Sequence, residues 1–209
     1  MIEKFNQIKA AMLLKKLAND EISTEELVRF NKKEGIIIFD IIKCMPLKET
    51  GLGLLIKGLI DLHGPGVIRT MRMAFKSDGY NDAKEALKIV GKEKAYKLIN
   101  FWTELGYIEK LVEIKVGKNG DLKNTELNEN FYKEFVESGY NTIIVRVKGS
   151  FSSLGYKAVA GKSNFPICVI EPAYIAGFIE ATFDRRCDVD ETKCEATGDD
   201  YCEYVFTLV

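Results

Sequence analysis

Histidine occurs once in this 209-residue chain, at His63. Metal-hydrolase motifs built on paired histidines are therefore excluded, and no CxxCH haem attachment is present. A Ser–His–Asp triad would have to use His63, whose Gly64-Pro65-Gly66 neighbours read as a helix break rather than as a catalytic support. Glutamine appears only as Gln7, beside abundant Lys, Glu and Ile, a bias found in proteins from hot habitats. Charge of either sign is not in excess: the net charge is −1, so no global basic field exists for nucleic acid or anionic lipid. No apolar run approaches the roughly 20 residues of a spanning helix. Long Pro/Ser linkers, internal repeats and low-complexity tracts are missing too. No signal-peptide pattern is found, and the cysteines are five, an odd number. Both points favour a reducing, cytoplasmic setting, where spaced cysteines more often bind metal or react than form staples.

Two apparent nucleotide signals fail on spacing. Gly161-Lys162-Ser163 resembles a phosphate loop, but the position six before Lys162 is Tyr156, and Gly155 is one residue too early. Gly51-x-Gly53 has Ile56 where a dinucleotide fingerprint needs glycine.

What the chain does contain is concentrated near its end. Cys168, Glu191, Cys194 and Cys202 supply three thiols and a carboxylate, a complete tetrahedral set for zinc. Glu191-x-x-Cys194 has the short gap of a metal-gripping turn, and Thr197-Gly198-Asp199-Asp200 is a turn signal that folds Cys202 back beside Cys194. Packing cysteines, or a Cys194–Cys202 hairpin disulfide, remain open alternatives on residue type alone. As a strand, residues 201–208 place Cys202, Tyr204, Phe206 and Leu208 on one face. Glu191 and Cys194 are three apart, so a regular strand would point them to opposite faces. If both bind one ion, the chain must bend between them. Cys187 is an extra thiol near the site, able to replace a ligand or lie idle; Cys44, inside GIIIFDIIKCM, reads as a buried hydrophobe.

Residues 2–18 have helical periodicity, with Ile8, Met12, Leu13 and Leu17 on one side. Ser23-x-x-Glu26 is a capping box opening a short helix to about Lys33, and Ile36–Cys44 reads as one buried strand. Helices are expected over 52–63, over 67–78 and 81–90 with a break at Gly79, and over 92–105. Strands follow at 107–116 and 141–150, a GKNGD turn at 117–121, helices at 127–138 and 166–183, and a final hairpin at 187–209. Helix 166–183 is expected to turn Ile170, Tyr174, Phe178 and Ala181 inward. This is an α+β pattern, helices beside a mainly antiparallel sheet. Residues 1–48 form an N-terminal extension and 49–209 the main domain. Residues 92–128 also have the outline of a winged-helix wing, with Lys110, Lys115, Lys118 and Lys123 available to phosphates. Interleaved Glu109, Glu113, Asp121 and Glu126 weaken such a face, so nucleic acid is not the expected partner.

From Val145 onward the sequence resembles the 4-vinyl reductase domain, also found in small archaeal proteins labelled hydrocarbon-binding. The carrying residues are Pro166-x-Cys168, Gly177-Phe178, Glu191-x-x-Cys194, Gly198-Asp199 and Cys202-x-Tyr204. Similar domains form the aromatic-sensing module of phenol-responsive transcription activators, where a Cys, a Glu and two further Cys hold zinc. The resemblance implies Cys168, Glu191, Cys194 and Cys202 as zinc ligands, and a hydrophobic pocket enclosed between helices and sheet. Four protein ligands leave no open position, so the zinc reads as a structural clip on the C-terminal hairpin. The aromatics Phe151, Tyr156, Phe165, Tyr174 and Phe178 are candidates to line the pocket, although core packing is their plainer role. The expected function is binding of a hydrophobic or aromatic small molecule by a sensor or carrier, as a homodimer. No hydride source is legible, so no catalytic residue is assigned. A reductase or accessory factor for a vinyl-bearing tetrapyrrole-like substrate, and a ligand-responsive transcription regulator, are the alternatives.

Overall fold

The computed structural model describes residues 28–31, 36–39, 42–44, 49–96, 108–118 and 120–209, together with Lys16 and Asn19; for 28–44 the description is of the backbone. The helix expected over 2–18 lies outside the described residues save at Lys16, as does most of that expected over 92–105. The described elements are β1 (Val28–Asn31), β2 (Ile36–Phe39), β3 (Ile42–Cys44), α1 (Glu49–His63), α2 (Val67–Val90), β4 (Ile108–Lys118), β5 (Asp121–Thr125), α3 (Phe131–Glu137), β6 (Thr142–Ser150), α4 (Phe151–Ala160), α5 (Ile170–Phe183), β7 (Cys187–Lys193) and β8 (Cys202–Leu208). Short 3₁₀ turns occupy Lys92–Lys94 and Glu195–Thr197.

The expected α+β architecture is present. Five strands form an antiparallel sheet in the order β5-β4-β6-β8-β7. The period-two pattern sorts their side chains. Ile114, Val116, Ile143, Val145, Val147, Tyr204, Phe206 and Leu208 are buried on the inner face. The outer face carries Arg146, which donates to Glu113 and Glu203 and lies over the Tyr201 ring. The β4–β5 hairpin is not a free wing, because β4 also pairs with β6 along its length.

Helix α5 lies against the inner face and is covered on its far side by α2. It is buried at 11 of its 14 residues, so the single inward stripe expected for it is replaced by burial nearly all round. Ile175 and Ile179 join the sheet-side core, while Phe178 and Ala181 meet Ala83 and Leu87. Arg72 reaches Cys168 just before α5, and Lys92 pairs with Asp184 just after it, so α2 and α5 run in the same direction.

Glycine explains two departures from expectation. Gly79 does not break the helix: α2 is continuous from Val67 to Val90. A Cβ there would stand 2.3 Å from the Tyr174 carbonyl oxygen, and one at Gly177 would stand 2.1 Å from that of Lys76. These positions lack a side chain because two backbones touch there. Likewise the sequence pattern does not announce α4, since Ser152, Ser153 and Gly155 are poor helix formers. Its Gly155 packs on α1, where a Cβ would lie 2.1 Å from the Glu49 carbonyl oxygen. Tertiary contact has overridden propensity.

The N-terminal segment departs further. In place of a helix to Lys33, Val28–Asn31 is a strand paired with Ile36–Phe39, and the strand expected over Ile36–Cys44 is two strands paired with each other. Cross-strand pairing of β-prone residues such as Val28 and Ile38 outweighs the local capping signal.

Replacing Gly177 with Ala should force α2 and α5 apart and destabilise the protein by about 1–3 kcal/mol. Urea unfolding measures this; a change within about 0.5 kcal/mol, the scale of a neutral surface substitution, would contradict the close approach.

Candidate metal centre and cavity

Three segments meet at the start of α5. Ile167, Cys168 and Val169 approach it fully buried. The other two segments are the two arms of the β7–β8 hairpin. Glu191 pairs with Tyr204, and Lys193 already pairs with Glu203, so Thr192 is an inserted residue. This β-bulge is the bend expected between Glu191 and Cys194, and it turns both side chains inward. Beyond Cys194 the chain makes the Glu195–Thr197 turn and passes Gly198 at φ +101°, a conformation that favours glycine. The Asp199 carboxylate accepts from the Cys194 N–H at 2.9 Å and the Thr197 hydroxyl at 2.8 Å, tying the loop shut. Cys202 then begins β8 with its thiol beside Cys194.

The result is a buried group of four. One donor atom each from Cys168, Glu191, Cys194 and Cys202 lies within 4.8 Å of all the others. The Cys168 Sγ is 3.9 Å from Cys194 Sγ and 3.7 Å from Cys202 Sγ. A tetrahedron with metal–sulfur bonds of about 2.3 Å has an edge of about 3.8 Å, so the sulfurs stand where one small ion would hold them. The carboxylate gives an independent test of fit. Glu191 Oε2 accepts from the Arg72 guanidinium at 2.6 Å and from the Cys168 N–H at 3.0 Å. Glu191 Oε1 is buried with no hydrogen-bond partner. A buried acceptor without a donor is costly, and a cation among the thiols would satisfy it.

The titration behaviour of these groups follows from burial and mutual contact. Burial pushes the Cys168 thiol well above its usual range. Burial raises the Glu191 carboxyl to about 9, with the charge on Cys194 adding to the effect. Hydrogen bonds from Cys168 and Cys202 hold Cys194 as a thiolate, far below the usual thiol range. Metal ligands must be deprotonated, so a divalent ion entering here would expel the protons these groups retain. Its affinity should rise with pH and fall as acid returns them.

Cys187 lies outside the group. It sits at the far end of β7, opposite Leu208, and its S–H points to the Asp188 carbonyl. Burial raises this thiol to about 12, which leaves it protonated and inert at neutral pH. Arg72 is a site residue that sequence reasoning misses. It lies between two methionines in an ordinary helical stretch 119 residues from Glu191, and no local spacing reveals it. Ser150 is another; its hydroxyl is 3.1 Å from Cys168 Sγ and donates to the buried Glu171 carboxylate at 3.0 Å.

An apolar cavity of about 40 Å³ lies farther along α5. Its walls include Ile108 and Ile114 of β4, Ile143 and Val145 of β6, Phe131 and Tyr132 of α3, and Ile175, Ile179, Thr182 and Phe183 of α5. Tyr132 stacks on Phe183 at 5.4 Å. None of the five aromatics singled out in the sequence lines this space. Phe151, Tyr156 and Phe165 pack with Leu52, Ile56 and Val169. Phe178 sits between α2 and α5, and the Tyr174 hydroxyl donates to Asp82.

Residues 145–208 match the model of the 4-vinyl reductase domain. The match bears out the family resemblance read in the sequence, and it spans all four clustered residues. A relative is an uncharacterized protein of Methanocaldococcus jannaschii, MJ1642, 34% identical over 100 residues, which are 46% of this chain and 60% of that one. The aligned part thus falls short of two thirds of the relative. Among solved structures, the phenol-responsive sensory domain of the transcription activator PoxR, crystallised with phenol, is similar at a TM-score of 0.62 and 22% identity, over 92% of this chain and 88% of that one. At that identity the likeness is one of fold.

Cys194→Ala should abolish retention of a divalent ion and lower thermal stability, whereas Cys187→Ala should keep the ion and cost about 1–2 kcal/mol of packing. Metal analysis beside thermal melts separates the two. Equal metal content in both variants would contradict the four-donor site.

Proposed function

We propose that this protein is a zinc-clipped binding domain for a small, largely apolar molecule, working as a sensor or carrier. The observation that carries the reading is the apolar cavity between the inner face of the sheet and α5. Pockets for small molecules are walled mainly by hydrophobic and aromatic side chains with few polar groups, and this one has Thr182 as a buried polar neighbour among isoleucines, Phe131 and Phe183. The fold likeness to a domain described as phenol-responsive supports a single-ring ligand class.

Zinc is the ion of choice for three thiolates and a carboxylate at this spacing. When bound, it supplies a four-way crosslink between the start of α5 and the terminal hairpin. Cys168, Glu191, Cys194 and Cys202 would hold it, filling all four positions, so its role is structural. The protein's own part is then mechanical. The thiols and Glu191 anchor the first turn of α5, and the same helix presents Ile175, Ile179 and Thr182 to the cavity. A fixed helix keeps those walls in register and lowers the ordering cost of binding.

The test uses phenol and toluene as probes on the zinc-loaded protein, with an Ile179→Phe variant that fills the cavity. Calorimetry should give saturable binding to the parent protein and at least tenfold weaker binding to the variant, with zinc content equal in both. No saturable binding of either probe by the parent protein, or equal binding by the variant, would overturn the assignment.

A further inference from the structure

We infer that Arg72 is the positioning residue of the metal centre, the outer-sphere cation that turns Glu191 toward the thiols; this rests on the zinc reading above. Arg72 projects from α2 and belongs to neither the hairpin nor the loop that supplies the donors. Its guanidinium is used as a fork. Nε donates to the Cys168 carbonyl at 2.8 Å, and Nη2 donates to Glu191 Oε2 at 2.6 Å. One side chain thereby spans the two segments that must come together, and it holds one by its backbone and the other by its carboxylate.

The consequence for Glu191 is directional. Oε2 is engaged twice, by Arg72 and by the Cys168 N–H, and Oε1 has no partner. With Oε2 pinned, the carboxylate cannot rotate freely, and Oε1 is the atom left for an ion. Charge points the same way. Three thiolates and a carboxylate outweigh a dication by two charges, and the Glu191 side chain is 0% exposed while Arg72 is 20% exposed. A guanidinium at hydrogen-bond distance compensates part of that excess without competing for a coordination position, as an arginine does and a point-charged lysine does less well. Nothing comparable is offered by the neighbouring basic residue on α2: Lys76 bonds Cys187 O and Glu180, away from the four donors.

The experiment compares wild type, Arg72→Met, Arg72→Lys and Lys76→Met by zinc competition against a chromophoric chelator and by the absorption spectrum of the cobalt(II) form. Losing an outer-sphere partner of a metal ligand weakens binding roughly 10–100-fold. That weakening is expected for R72M, with R72K between it and wild type and K76M equal to wild type. In R72M the cobalt ligand-field bands should shift while the sulfur-to-cobalt charge transfer persists, because the carboxylate is disturbed and the thiolates are kept. If R72M does not fold, R72K decides alone: a cobalt spectrum and zinc affinity identical to wild type overturn the inference. Equal affinity in R72M and wild type, or equal loss in R72M and K76M, overturns it too, the latter by reducing Arg72 to helix packing. A wild-type protein that takes up neither zinc nor cobalt defeats the zinc reading itself.

Discussion

The structure turns on one buried carboxylate. Glu191 is held by two donors on one oxygen and has none on the other, in a place from which water is excluded. A folded chain does not leave such an atom without compensation unless something else completes the site. The three thiols beside it are that site's remaining donors. Their separations, set by the α5 approach, the β7 bulge and the turn at Gly198, match the edge of one coordination tetrahedron. Everything in the C-terminal half is arranged around this meeting point: the strand order, the bulge, the close-packed helix pair.

From there the architecture extends along α5. The helix begins at the metal donors and ends beside the cavity, flanked throughout by α2 running the same way. Gly79 and Gly177 allow the two backbones to touch, and Arg72, Lys76, Asp82 and Lys92 bond across to α5 and the hairpin along the length of the pair. A helix so tightly held behaves as a rigid rod, so what fixes its first turn also positions the Ile175 and Ile179 walls at its second half. That is the physical route by which a structural ion serves a binding function some turns away.

How much of this the sequence made legible depended on how local each signal was. The inner face of β8 was readable because alternation is a two-residue rule, and the bend between Glu191 and Cys194 was readable because a three-residue offset on a strand demands it. The ligand set could be assembled from residue types and turn chemistry alone. The N-terminal strands could not, because the capping signal at Ser23 is local and the pairing that overrides it is not. Gly79 looked like a breaker because its reason for being glycine, the Tyr174 carbonyl, lies 95 residues away. The cavity was misjudged for a similar reason. Aromatics near the motif drew attention, whereas the walls are aliphatic residues of β4, β6 and α5 together with α3, brought together only by the sheet order. Arg72 lay wholly beyond sequence reading.

Zinc K-edge X-ray absorption on the purified protein tests the central claim most directly. The account requires three sulfur neighbours at about 2.3 Å and one oxygen at about 2.0 Å, with no further light scatterer in the first shell. A shell of four sulfurs, one dominated by nitrogen and oxygen, or one with an added water would contradict the closed site formed by Cys168, Glu191, Cys194 and Cys202.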